Sequence, residues 1–138
     1  IVPVLTARAV PRIEAAAGAH KATRWRTIIE EASRQCGRAD VPTVLPPCPL
    51  AEAVATVEAT ARWFVYEGAR GRSLRTEPAA TQVALLVGPE GGFTPEEAST
   101  AEAAGFVAVS LGPRILRAET AAIVAVTLVM AAAGGLDG

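Results

Sequence analysis

Residues 81–97 read TQVALLVGPEGGFTPEE, and this stretch decides the fold class. Thr81 to Val87 is a near-continuous apolar run that stops at Gly88-Pro89. Such a run, with no polar alternation, suits a central strand covered on both faces. Beyond the glycines, Thr94-Pro95-Glu96-Glu97 is a helix start. Thr94 can cap, Pro95 sits where no backbone donor is needed, and Glu97 stands three residues after the cap.

The same alternation continues on both sides. Downstream, the helix ends at Gly105, and FVAVSL (Phe106 to Leu111) reads as another strand. A second Gly-Pro turn then leads to a last helix from about Glu119 to Ala133. Upstream, ARWFVYEG (Ala61 to Gly68) is a strand followed by an Arg-rich loop, and Pro49 opens a modest helix carrying Leu50, Val54 and Val57 inward. VPTVLPPCP is a Pro-rich connector. From Thr23, the positions Trp25, Ile28, Ile29, Ala32 and Cys36 recur at helical spacing and are expected to face inward, with Gly37 as the stop. Arg24, Thr27, Glu31, Arg34 and Arg38 form that helix's polar side. The segment before it, to His20, reads as irregular or weakly helical, and Ile1–Leu5 as a short strand. Strands alternating with helices predict an α/β fold with a mostly parallel sheet flanked by helices.

Composition narrows the function classes. At 138 residues, half of them apolar, the chain is one globular domain. Net charge is −1, so a strongly basic nucleic-acid protein is not indicated overall. The charge is uneven, however: residues 1–75 carry 11 basic and 7 acidic groups, whereas 76–138 carry 2 and 7. A polyanionic partner and ordinary solvated helix faces both explain that asymmetry. Cys36 and Cys48 lack metal-type spacing and read as reduced thiols of a cytoplasmic protein. His20 is the only histidine, which leaves no basis for a His-centred triad and points away from a metal site. Ala121–Ala133 is too short to span a bilayer, so no membrane partner is expected. The chain opens on IVPVL without Met, as a piece of a longer polypeptide would.

In parallel sheets, ligands gather at the carboxyl ends of the strands. Three such ends carry unusual loops: YEGARGR, VGPEGGFT and LGPRILRAET. The second lacks the Lys-Ser/Thr of a P-loop and the spacing of G-x-G-x-x-G, so neither nucleotide motif applies. Its glycines suggest close backbone approach to a ligand. The third holds Arg114 and Arg117, the only basic residues after Arg75.

Taken together, GPEGGFTPEE (Gly88 to Glu97) and LGPRILRAETA (Leu111 to Ala121) resemble the signature loops of RsmE-type small-subunit rRNA (uridine-N3) methyltransferases, of the SPOUT superfamily. KATRWRTIIEEASRQCGRADVP is similar to an upstream pattern of the same family, and TARAV around Arg8 is a weaker match. The resemblance implies a C-terminal trefoil knot, a homodimer with the last helix near its interface, and S-adenosylmethionine held bent among the three loops. The implied cofactor contacts are Tyr66, Glu67, Val87, Gly88, Pro89, Gly91, Leu111, Gly112, Ile115 and Leu116. The family's N-terminal RNA-binding barrel has no counterpart in residues 1–138, and the first strand-helix unit of the catalytic domain is expected to end just before Ile1.

N3-methylation of uridine requires in-line alignment of nitrogen, methyl and sulfur, removal of the N3 proton, and stabilisation of the resulting anion. Arg114 is assigned to the target uridine or its phosphate. Arg117 shares that role or pairs with Glu119 or Glu90. Glu90 is the candidate proton acceptor, and Glu119 and Thr120 are expected to cap the last helix. Arg8, Arg24, Gln35 and Arg38, with Arg114, are candidate contacts to small-subunit rRNA or the ribosomal subunit. Trp25 and Trp63 read as core residues rather than base-stacking platforms. Two alternatives remain at this level: a non-catalytic RNA-binding or dimerisation module, and a methyltransferase of the same superfamily acting on another nucleotide, such as a tRNA ribose 2′-O.

Overall fold

The computed structural model describes residues 1–9, 15–69 and 71–136, with the side chains of residues 15–20 left aside. Part of the segment expected to be irregular (residues 10–14), the side chain of His20, and Arg70 of the Arg-rich loop lie outside the described residues. The elements run in the order β1 (Val4–Leu5), α1 (Ala15–Gln35), β2 (Cys48–Pro49), α2 (Leu50–Thr56), β3 (Ala61–Val65), a 3-10 turn (Leu74–Thr76), β4 (Val83–Val87), α3 (Pro95–Ala103), β5 (Val107–Val109) and α4 (Ala118–Ala132).

All observed strand pairs are parallel. β1 pairs with β2, and a three-stranded sheet has the order β4-β3-β5. The central strand is therefore β3, not the run at 81–87. That run is apolar because helices cover both faces of the sheet, and hydrophobicity does not report which hydrogen-bonding edge is open. Along β3 the side chains alternate between two cores. Phe64, with no exposed surface, joins Leu50, Val54, Leu86, Phe93, Ala98, Ala101 and Phe106 on the α2/α3 side. Trp63 joins Leu74, Val109 and Ala125 on the α4 side. Burying a side chain like Phe64 contributes roughly 1.5–3 kcal/mol.

The start of α3 follows the sequence reading closely. Thr94 Oγ1 accepts the Glu97 N–H at 3.2 Å, and the Glu97 carboxylate accepts the Thr94 N–H at 2.9 Å, completing a capping box. At its other end, the Arg62 guanidinium donates to the Ala104 carbonyl at 2.8 Å, placing a cation on the helix's negative pole.

Two expectations are corrected in α1. The helix begins at Ala15 rather than near Thr23, so over residues 15–20 the helical of the two readings holds; alanines favour helix without producing any apolar periodicity to read. It does stop at Gly37, where Arg38 N–H bonds to Ser33 O and Gly37 N–H to Arg34 O, the two bonds of a Schellman end. Of the five residues expected inward, only Trp25 and Ile29 are half-buried; Ile28, Ala32 and Cys36 are exposed. Among the described side chains of this helix, the buried one is Ser33. Residues 25, 29 and 33 form one i, i+4 row and 28, 32 and 36 the adjacent one, and periodicity alone does not choose between neighbouring rows.

Candidate functional site

The carboxyl ends of β3, β4 and β5 open into a single cavity of about 370 Å³. Its floor is tied to the core. The buried Phe64 ring lies 5.5 Å from the Tyr66 ring and 6.1 Å, edge-on, from that of Phe93, and both Tyr66 and Phe93 line the cavity. Tyr66 N–H also bonds to Val109 O at 3.1 Å, tying the end of β3 to β5.

The three loops are held by short-range chemistry. In the Gly-rich loop, Gly92 adopts φ +67°, a conformation that disfavours any side chain, and its N–H closes a turn onto Pro89 O at 2.9 Å. A Cβ there would also meet Glu67 Oε1 at 3.3 Å, so the β3 and β4 loops abut at this point. After β5, Ser110 Oγ accepts the Gly112 N–H and donates to the Gly112 carbonyl, each at 3.0 Å, fixing the turn that launches the arginine loop.

Glu90, Arg114 and Arg117 all line the cavity, as do Tyr66, Glu67, Val87, Gly88, Pro89, Leu111, Gly112, Ile115 and Leu116. Gly91 does not. It faces outward, where a Cβ would lie 2.9 Å from Arg8 Cβ. Arg114, Arg117 and Glu90 are exposed, and among the described residues Arg117 forms no ion pair with Glu90 or Glu119. The start of α4 also departs from expectation. Its N-cap is Arg117, without a side-chain cap bond, and Glu119 sits within the first turn, favourable to the helix dipole but not capping it.

The cavity includes residues that the sequence did not single out: Val65, Gly92, Phe93, Ser110, Pro113, Ala118 and Ala121. Most are neighbours of residues that it did. Ala121 was findable by a different signal, since it lies one helical turn after Arg117 and so shares its face.

Of the candidate RNA contacts, Arg24 and Gln35 are exposed on α1, and neither lines the cavity. Arg38 donates Nε and Nη2 to the two carboxylate oxygens of Asp40, at 3.4 and 2.7 Å. Arg8 is docked against the Gly-rich loop, its Nη1 3.0 Å from Gly91 O. Trp63 is buried, whereas Trp25 lines an apolar groove with Ile1, Pro3, Ile28, Ile29 and Val44. Among the described residues no group of three His, Cys, Asp or Glu side chains comes together, and no helix is long and apolar enough to cross a membrane.

A parallel sheet with one cavity built from three strand-end loops defines an α/β domain with a ligand site at its strand ends. Residues 1–130 match the RNA methyltransferase domain family, and the chain belongs to it. It is 37 % identical over 118 residues to ribosomal RNA small subunit methyltransferase E of Synechocystis, covering 81 % of this chain and 39 % of that protein. To the enzyme of the same name from Mycobacterium tuberculosis it is 41 % identical over 108 residues, 74 % of this chain and 41 % of that protein. The chain thus spans about two fifths of the length of these relatives. Among solved structures, a methyltransferase from Legionella pneumophila in complex with the cofactor SAM superposes with a TM-score of 0.89 at 36 % identity, over 95 % of this chain and 54 % of that one. Ribosomal RNA small subunit methyltransferase E from Neisseria gonorrhoeae, bound to S-adenosyl methionine, gives 0.78 at 36 % identity, over 91 % and 53 %.

Proposed function

We propose that residues 1–138 form the catalytic domain of an S-adenosylmethionine-dependent methyltransferase acting on N3 of a uridine in small-subunit ribosomal RNA, as a cytoplasmic homodimer. The observation that carries this reading is the cavity, where three strand-end loops surround one space lined by Glu90, Arg114 and Arg117. The solved neighbours that hold this cofactor, and the named activity of the relatives, support it.

The residues present fit such a ligand. About 370 Å³ falls within the ordinary range for ligand pockets, roughly 300–1,000 Å³. Tyr66 and Phe93, with Val65, Val87, Leu111 and Leu116, suit a flat heteroaromatic ring. The Glu67 carboxylate suits ribose hydroxyls or an ammonium group, and the backbone of Gly88 and Gly112 can approach a ligand closely. When bound, S-adenosylmethionine supplies an electrophilic methyl group on a sulfonium.

The chain's own residues then have three tasks. The Arg114 guanidinium holds the uridine, or its phosphate, so that N3 faces the cofactor pocket. Glu90 accepts the N3 proton. Arg114 and Arg117 stabilise the negative charge that spreads onto O2 and O4 as that proton leaves, acting as fixed donors beside the developing anion. The uncapped amino end of α4, whose Ala118 and Ala121 line the cavity, adds a favourable dipole for the same charge.

Further observations support the remaining parts of the reading. Ser73 forms a bridge with Ser110 beyond β5, while α4 packs against both β4 and the 3-10 turn. To these contacts we add the family's knot, in which the chain after Val87 threads through an earlier loop. On α4, Ala121 and Ala125 are buried, whereas Ile123, Val126 and Met130 are 69, 53 and 43 % exposed. An apolar stripe of this kind supports burial against a second copy. Arg24 and Gln35 are assigned to the RNA backbone, and Arg38 joins them by exchanging Asp40 for phosphate.

The test is methyl transfer from labelled S-adenosylmethionine to unmodified small-subunit rRNA, followed by nucleoside analysis. Label in N3-methyluridine is the expected result. Label on a ribose 2′-oxygen, or no transfer, refutes the assignment.

A further inference from the structure

Arg8 lies far from the Gly-rich loop in sequence and against it in space. Its Nη1 donates to Gly91 O at 3.0 Å and more weakly to Phe93 O at 3.5 Å. Next to it, the Ala7 N–H donates to Glu97 Oε1 at 2.7 Å, while Glu97 Oε2 accepts the Thr94 N–H at 2.9 Å. The acid that completes the α3 capping box therefore also pins the 7–8 backbone. The fit leaves no room at Gly91, where a Cβ would stand 2.9 Å from Arg8 Cβ and 3.3 Å from Arg8 O. The other side of the same loop, at Gly88, Pro89, Glu90 and Gly92, lines the cavity.

We propose that Arg8 is a positioning residue that braces the Gly-rich loop from outside, setting the backbone that the cofactor meets on the inside, rather than a contact to RNA. Two loop carbonyls drawn outward onto a guanidinium fix the peptide planes between Gly91 and Thr94, including the one that carries the Gly92 N–H. Hydrogen bonds to a charged donor are among the stronger ones available to a loop. Gly91 is then explained by the approach of Arg8, and Gly92 by its turn and its contact with Glu67.

The cofactor half of this proposal rests on the cavity being the S-adenosylmethionine site, so the test has one readout that does not involve cofactor. In ligand-free protein, Arg8→Ala should speed amide hydrogen exchange at Gly92, whose N–H closes the turn onto Pro89. Gly91→Ala, which keeps the guanidinium but pushes a methyl into Arg8, should do the same, and Arg8→Lys should restore part of the protection. In calorimetry, Arg8→Ala should weaken S-adenosylmethionine binding by about tenfold, the scale of one hydrogen bond to a charged group. RNA affinity should keep its salt dependence. Unchanged exchange at Gly92 in Arg8→Ala overturns the brace. Intact cofactor affinity, with RNA binding weakened and its salt slope shallower by about one, overturns the positioning role and makes Arg8 a phosphate contact. Wild-type protein that binds no S-adenosylmethionine removes the cofactor half together with the site reading, and the exchange rates then still decide the brace.

Discussion

Arg114 stands on an exposed loop between Gly112-Pro113 and α4, and among the described residues no carboxylate engages it. A guanidinium in that state keeps its full set of donors for an incoming anion. Arg114→Ala is expected to lower methyl transfer by about a hundredfold or more, the cost of losing one preorganised donor at a developing charge. The melting temperature should not move, and retained transfer would remove the assigned role. Much of this loop was legible because Arg114 and Arg117 break a chain segment otherwise poor in cations. The partner of Arg8 was not legible, because a bond to a backbone carbonyl leaves no trace in the identity of the residue that accepts it. Likewise Gly91 and Gly92 are the same letter with different reasons, one steric and one conformational.

At the level of elements, the α3 start shows how far local chemistry reaches. Thr94→Ala removes the cap acceptor and should cost about 1 kcal/mol in denaturant unfolding. α4 is set apart from α3 by having no such cap and by presenting apolar side chains to solvent. If Ile123, Val126 and Met130 meet a second copy, Ile123→Arg should convert the dimer to monomer in sedimentation, with unchanged circular dichroism. A wild-type protein that is already monomeric contradicts that use of the face. The strands from Ala61 onward and helices α2 to α4 were readable because turn residues, and at α3 a capping box, bracket their apolar runs. The start of α1 and its buried row were not, since alanines carry no period and two adjacent helical rows are nearly equivalent in pattern. The central position of β3 was hidden for another reason: sheet order depends on long-range pairing, which no single run encodes.

Across the whole molecule, the sheet separates two cores, and an ion pair closes the turn around Leu74, which is buried in one of them. Arg72 Nε and Nη2 donate to the Glu77 carboxylate at 2.7 and 2.8 Å, and the Glu77 side chain is only 6 % exposed. The hydrogen bond from Arg72 holds this carboxyl below the usual glutamate range, against the opposing effect of burial. The stabilisation is therefore fully present above the ordinary glutamate value of 4.5 and is lost as pH falls through the lower folded value. Glu77→Gln should lower the melting temperature at pH 7 and flatten its decline towards pH 3; equal pH profiles for both proteins would show that the pair contributes nothing. The central claim, that the three strand-end loops form the cofactor site, is tested most directly by titrating the protein with S-adenosylmethionine and following its amide resonances. Saturable shifts should concentrate at Tyr66, Glu67, Gly88, Gly92, Leu111 and Gly112, leaving the Ile28 groove of α1 unmoved. No saturable shift, or shifts centred on that groove, would contradict it.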